Sequence, residues 1–129
     1  MSTKIYFEIQ ADDPARTIDF YTGVFGWKFT EVRGLPIRYW LIDTEGNGSR
    51  SGGLLQSAGP RPAQQSATNA FCCSFEVSDY HASAAKITKA GASVALPKFA
   101  VPSVCWQGYF LDLDGNVFGI FQPDERAGT

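Results

Sequence analysis

Two glutamates stand in matching surroundings, Glu8 in Phe7-Glu8-Ile9 and Glu76 in Phe75-Glu76-Val77. Carboxylates brought together from equivalent places split their pKa values, and such a pair serves as general acid and general base. The plainer use of each glutamate is to hold a neighbouring backbone group or an arginine. The two-residue period of a strand puts Lys4, Tyr6 and Glu8 on one face and Ile5, Phe7 and Ile9 on the other. By the same rule Ser74 and Glu76 share a face with Cys72. If the apolar faces pack on helices, the opposite faces line a cavity. Tyr39, Trp40, Trp106, Tyr109, Phe110 and Phe121 fall on strands or loops that border it. Aromatic walls with a few polar groups suit a planar or hydrophobic small molecule.

The elements that position these residues come in two rounds. The first runs from Phe7-Glu8-Ile9 through Asp13-Pro14 to Tyr39-Trp40-Leu41-Ile42-Asp43, a Glu45-Gly46-Asn47 turn and Gly52-Gly53-Leu54-Leu55-Gln56. The second runs from Phe75-Glu76-Val77 through Asp79 to Tyr109-Phe110-Leu111, an Asp114-Gly115-Asn116 turn and Phe118-Gly119-Ile120-Phe121-Gln122. A near-constant shift of about half the chain indicates an internal duplication. Asp13 and Pro14 start a helix in which Ile18, Tyr21 and Phe25 recur at helical spacing, and Gly26 stops it. Trp27 to Val32, Ile37 to Asp43 and Gly53 to Ser57 follow as strands. In the second round Ser78 or Asp79 caps a small-residue helix with Ala82, Ala85, Ile87 and Ala90, ending at Gly91. Ala92 to Leu96 is a strand, Pro97 to Pro102 a loop, and Val104 to Leu113 and Val117 to Gln122 contain the last strands. The expected units are a module over about 4–57, a linker over 58–69, a module over about 70–122 and a loose tail over 123–129. Each module reads βαβββ. One helix cannot cover both faces of a four-stranded sheet, so the modules must pair.

Bulk properties narrow the function. The chain has 129 residues, 44% of them hydrophobic, and a net charge of −2, which fits one compact domain. Balanced charge and no basic cluster argue against nucleic acid or an anionic membrane as partner. No apolar run is long enough for a transmembrane helix. With no signal-peptide core and three cysteines in no zinc-binding spacing, a cytoplasmic protein with reduced thiols is expected.

Three stretches, FEIQADDPARTIDFYTGVFGWKF, FEVSDYHASAAKITKAGASV and DLDGNVFGIFQ, resemble the vicinal oxygen chelate superfamily of glyoxalase I, bleomycin- and fosfomycin-resistance proteins and extradiol dioxygenases. The resemblance implies an α+β fold of two tandem βαβββ modules, a curved mixed sheet around a central cavity, and a homodimer. Whether modules pair within a chain or swap between chains stays open. In metal-dependent relatives four ligands come in symmetric pairs, one on the first and one on the last strand of each module. Carried over, these positions are Lys4, Gly53, Cys72 and Gly119. Two glycines, a protonated lysine and one thiol do not make a divalent-metal site, so no metal and no other cofactor is expected. The sole histidine, His81, falls on the second helix, where packing or solvent exposure is its expected role. Glycines at 53 and 119 leave the cavity floor open, with Leu55 and Phe121 in step beside them. Cys72 could act as a nucleophile if a base such as Lys4 lowered its pKa, though an inert thiol is the commoner use. The resulting expectation is metal-independent binding of a small aromatic or amphipathic ligand by Tyr6, Glu8, Leu55, Cys72, Ser74, Glu76, Trp106 and Phe121. The alternative is a glyoxalase-like lyase or dioxygenase with a non-standard metal site or a Glu8/Glu76 acid–base pair.

Overall fold

The computed structural model describes residues 6–57 and 72–129. Lys4 and the expected linker over 58–69 lie outside the described residues. The chain divides into two compact units, Met1–Pro62 and Ala63–Thr129.

In the first unit β1 (Phe7–Ala11) leads to α1 (Pro14–Phe25), then β2 (Lys28–Val32), β3 (Tyr39–Asp43) and β4 (Gly52–Gln56). The sheet order is β1-β4-β3-β2, with β1 parallel to β4 and the other pairs antiparallel. The helix begins as its sequence requires. Asp13 is extended and its carboxylate accepts from the Arg16 N–H, while Pro14 occupies the first turn, where no N–H is needed. It ends at Gly26, whose φ of 72° suits glycine and whose N–H reaches the Thr22 carbonyl. The face it buries is Pro14, Thr17, Phe20 and Tyr21, turned from the expected Ile18–Tyr21–Phe25 stripe. Tyr21 stacks on Trp27 at 4.9 Å, and Phe25 packs on the same indole at 5.3 Å. The sheet's side of the core is Ala11, Trp40, Ile42 and Leu54.

The second unit repeats the plan with β5 (Cys73–Glu76), α2 (Tyr80–Lys89), β6 (Ser93–Val101), β7 (Cys105–Leu111) and β8 (Val117–Pro123). Its order is β5-β8-β7-β6, with β5 parallel to β8. Asp79 caps α2 by accepting from the Ala82 N–H, and Gln122 accepts from the Tyr80 N–H. The helix packs through Tyr80 and Ile87, while Ala82, Ala85 and Ala90 stay exposed. Phe110, Phe118 and Ile120 complete this core.

Two stretches differ from expectation. The Pro97–Pro102 segment is not a loop: β6 continues through it to Val101, with register shifts between Val94 and Leu96 and between Leu96 and Phe99. Pro97 falls in the second shift of an edge strand, where a missing N–H breaks no ladder bond. The tail is not loose either. Asp124 donates its N–H to the Val104 carbonyl, Ser103 donates to the Ala127 carbonyl, and Ala127 is fully buried.

Candidate functional site

In each unit the helix covers one face of the sheet, and the strand registers say which residues stand on the other. In unit 1 Glu8 faces Gly53 across the β1–β4 pair, and Gly53 faces Leu41 on β3. Tyr39 pairs with Leu55, which pairs with Gln10. These residues share the face opposite the core residues Trp40, Ile42 and Leu54. In unit 2 Ser74 faces Gly119, which faces Tyr109, while Gln107 pairs with Phe121 and Phe121 with Glu76.

The glycines are where side chains converge. A Cβ on Gly53 would overlap the Tyr39 hydroxyl and lie 2.8 Å from the Tyr6 hydroxyl. Because that space is free, Tyr39 folds over the strand and donates to Glu8 Oε2 at 2.8 Å, and its oxygen lies 2.6 Å from Tyr6 Oη. Burial, then the hydrogen bonds to Tyr6 and Glu8, hold the Tyr39 hydroxyl far above the usual phenol range, so it is a donor at any physiological pH. Unit 2 is built alike. A Cβ on Gly119 would overlap Ser74 Oγ and come within 2.6 Å of Gln107 Nε2, and the Gln107 amide donates to Ser74 Oγ at 3.1 Å. Tyr109 flanks the same glycine and stacks on Phe99 at 6.2 Å.

This correspondence corrects the internal alignment. Gly53 matches Gly119, and the helix caps Asp13 and Asp79 follow Glu8 and Ser74 at the same interval. The counterpart of Glu8 is therefore Ser74, and Glu76 corresponds to Gln10. The counterpart of Cys72 is Tyr6 rather than Lys4. The covering donors, Tyr39 and Gln107, are themselves equivalent.

The remaining expected residues are placed as follows. Tyr6, Glu8 and Leu55 stand on the open face of unit 1, and Ser74, Glu76 and Phe121 on that of unit 2. Cys72 is exposed just ahead of β5 and its thiol reaches the Val117 carbonyl at 3.4 Å. Burial, and secondarily Cys73, push that thiol up, the opposite of what an attacking thiolate needs. Trp106 lies on the helix side, one residue out of step with Gln107. Its indole N–H donates to Asp124 Oδ2 and its ring carries the Lys98 ammonium at 4.4 Å. Trp40 and Phe110 are buried on the helix sides as well. His81 is exposed on α2 with Nε2 at 3.0 Å from Lys98 Nζ. Gln107 and Tyr39, which organise the two faces, carry no motif of their own. Their roles follow from the strand registers.

The described members of the family's ligand set do not fit a divalent metal. Gly53 and Gly119 offer no side-chain ligand atom, and hydrogen-bonded side chains occupy the space above them. Among the described residues no group of three or more His, Cys, Asp and Glu is placed to hold a metal ion. Among them, too, no helix is long and apolar enough to cross a membrane.

Residues 5–120 match the family model "Glyoxalase/Bleomycin resistance protein/Dioxygenase superfamily". No curated protein matches the chain. Among solved structures, the chain is similar to a glyoxylase/bleomycin resistance protein/dioxygenase domain from Frankia sp. EAN1pec, at 21% identity and a TM-score of 0.75, covering 97% of this chain and 94% of that one. TnmS3, an antibiotic binding protein from Streptomyces sp. CB03234, is 23% identical with a TM-score of 0.67, covering 96% and 98%. The fosfomycin resistance protein FosX from Listeria monocytogenes is 14% identical with a TM-score of 0.70, covering 96% and 95%. At these identities the likeness is one of fold, the tandem βαβββ arrangement.

Proposed function

From the premise that the chain belongs to the Glyoxalase/Bleomycin resistance protein/Dioxygenase superfamily, we propose that it binds a small aromatic or amphipathic molecule without a metal. The fold alone does not decide this, because binders and enzymes share it. The observation that carries the reading is the filling of both glycine positions. Where a last-strand ligand would stand, Tyr39 and Gln107 instead cover Gly53 and Gly119 and hydrogen-bond to Glu8 and Ser74. The open faces so formed join hydrogen-bonding groups to apolar and aromatic ones, Leu41 and Leu55 in unit 1, Tyr109 and Phe121 in unit 2. That mixture suits retention of an organic ligand. Tyr6, Glu8, Leu55, Cys72, Ser74, Glu76 and Phe121 are the residues we assign to binding. TnmS3, described as an antibiotic binding protein, gives the reading a precedent in fold.

Native mass spectrometry of protein purified without chelator tests it, followed by a fluorescence screen against planar aromatic compounds. A retained or screened organic ligand with no stoichiometric metal supports the reading. A stoichiometric divalent metal that survives dialysis overturns it. The same preparation measures the proposed homodimer by light scattering, and cell fractionation tests the proposed cytoplasmic location.

A further inference from the structure

The hydrogen-bond directions on unit 1's open face limit what it can recognise. A phenol has one proton to give. Tyr39 gives its proton to Glu8 Oε2, so the 2.6 Å contact between Tyr39 and Tyr6 must be donated by Tyr6. Tyr6 Oη then has only lone pairs left for a ligand. Glu8 is exposed, and among the described residues its only partner is the Tyr39 hydroxyl, so Oε1 also offers only lone pairs. The chain Tyr6→Tyr39→Glu8 thus ends in acceptors on both sides and carries one negative charge. Among the described residues, the other charged ones that the registers put on this face are Asp43, two strands away on β3, and Lys28, opposite Asp43 on β2; Lys4, which strand alternation assigns to the same face, lies outside the described residues. Lys28 is three strand spacings from Glu8, roughly 14 Å. Beside the acceptors, Leu55 and Leu41 make an apolar surface in register with Tyr39 and Gly53.

We infer that this face selects molecules with a protonated amine on an apolar body, the ammonium resting between Tyr6 Oη and Glu8 Oε1 and the body on Leu41 and Leu55. An ammonium has donors only, so it satisfies both acceptors and meets the charge. A carboxylate or phosphate would bring lone pairs to lone pairs and negative charge to negative charge. A neutral hydroxyl can serve one acceptor but gains nothing from the charge. The inference rests on the binding function proposed above and adds the class of ligand.

Three probes of one shape separate the outcomes: 2-(2-naphthyl)ethylamine, 2-(2-naphthyl)ethanol and 2-naphthylacetate, titrated against the full chain by calorimetry. The amine is expected to bind tighter than the alcohol by a factor of about ten, the gain of an exposed charge-assisted contact. The acetate is expected to be weakest, and the amine's advantage should shrink with added salt. Glu8→Gln should remove that advantage, so that the amine and the alcohol bind the variant with equal affinity. Tyr6→Phe, which keeps the charge and deletes one acceptor, should weaken the amine by a smaller factor. An alcohol or acetate that binds as tightly as the amine overturns the inference while leaving small-molecule binding standing. Failure of all three probes to bind overturns both.

Discussion

Alanine at Gly53 tests whether the glycine exists to make room for Tyr39. Its Cβ would overlap the Tyr39 hydroxyl, so the ring must swing away. Two hydrogen bonds go with it, Tyr39 to Glu8 and Tyr6 to Tyr39. A bond to a carboxylate is worth about 1.5–3 kcal/mol and a neutral one about 0.5–1.5. Tyr6 and Glu8 are exposed and regain water, so the low ends apply, about 2 kcal/mol together. Alanine returns about 0.4–1 kcal/mol by restricting the unfolded chain. The net loss is about 1–2 kcal/mol. Gly52→Ala is the matched control, one residue earlier and on the other face. Its Cβ would sit 2.6 Å from the Phe7 carbonyl oxygen, which is backbone of the paired strand and cannot step aside. That substitution should cost at or above the top of the ~1–3 kcal/mol overpacking range. Urea unfolding of both variants gives the energies. Ultraviolet titration of tyrosinate should show Tyr39 ionising nearer the ordinary phenol range in Gly53→Ala. Equal destabilisation by the two alanines, or an unmoved Tyr39 titration, would refute the reasoning.

Further expectations concern the rest of the chain. The backbone N–H of Arg126 and the Trp106 indole hold the Asp124 carboxyl below its usual value. Its contribution to stability is therefore fully present above the unfolded aspartate pKa, about 3.9, and lost as pH falls through the lower folded value; Trp106 fluorescence between pH 6 and 2 should follow that loss, and Asp124→Asn should abolish the dependence. Ser103 holds a φ of 64° that favours glycine, so Ser103→Gly should stabilise by about 0.5–1 kcal/mol in thermal unfolding, with its N–H still donating to Ala127. Deleting residues 124–129 should lower the melting temperature, because it removes buried Ala127 and the two backbone bonds that tie Val104 and Ser103 to the tail. Cys72, with its thiol pushed up by burial, should react with iodoacetamide at pH 7.5 more slowly than free cysteine; faster reaction would restore it as a candidate nucleophile.

What the sequence makes legible and what it hides divide along a physical line. The caps Asp13, Pro14, Gly26 and Asp79 and the Asp114-Gly115-Asn116 turn are decided by residues a few positions apart, and they stand where the sequence puts them. The extension of β6 through Pro97 and the anchoring of Ala127 depend on partners remote in sequence, an edge position and the Ser103 N–H, and no local pattern announces either. The internal repeat is the instructive case. Phe7-Glu8-Ile9 and Phe75-Glu76-Val77 match by residue type, but aromatic and β-branched residues suit any half-buried strand, so such a match says little about register. Caps and close-packed glycines answer to one backbone position each, and Asp13 with Asp79 and Gly53 with Gly119 agree on a different shift. The two shifts differ by two residues, a full period of the strand. Faces therefore survive the misalignment, and Glu8, Ser74 and Glu76 still stand opposite the helices, while partners do not. Any chemistry that paired Glu8 with Glu76 as equivalents loses its symmetry argument. In its place stand two acceptors of different kind, a carboxylate under a tyrosine in one unit and a hydroxyl under an amide in the other. A duplicated fold has thus kept its architecture while diverging at the residue that faces each last-strand glycine, Glu8 opposite Gly53 and Ser74 opposite Gly119.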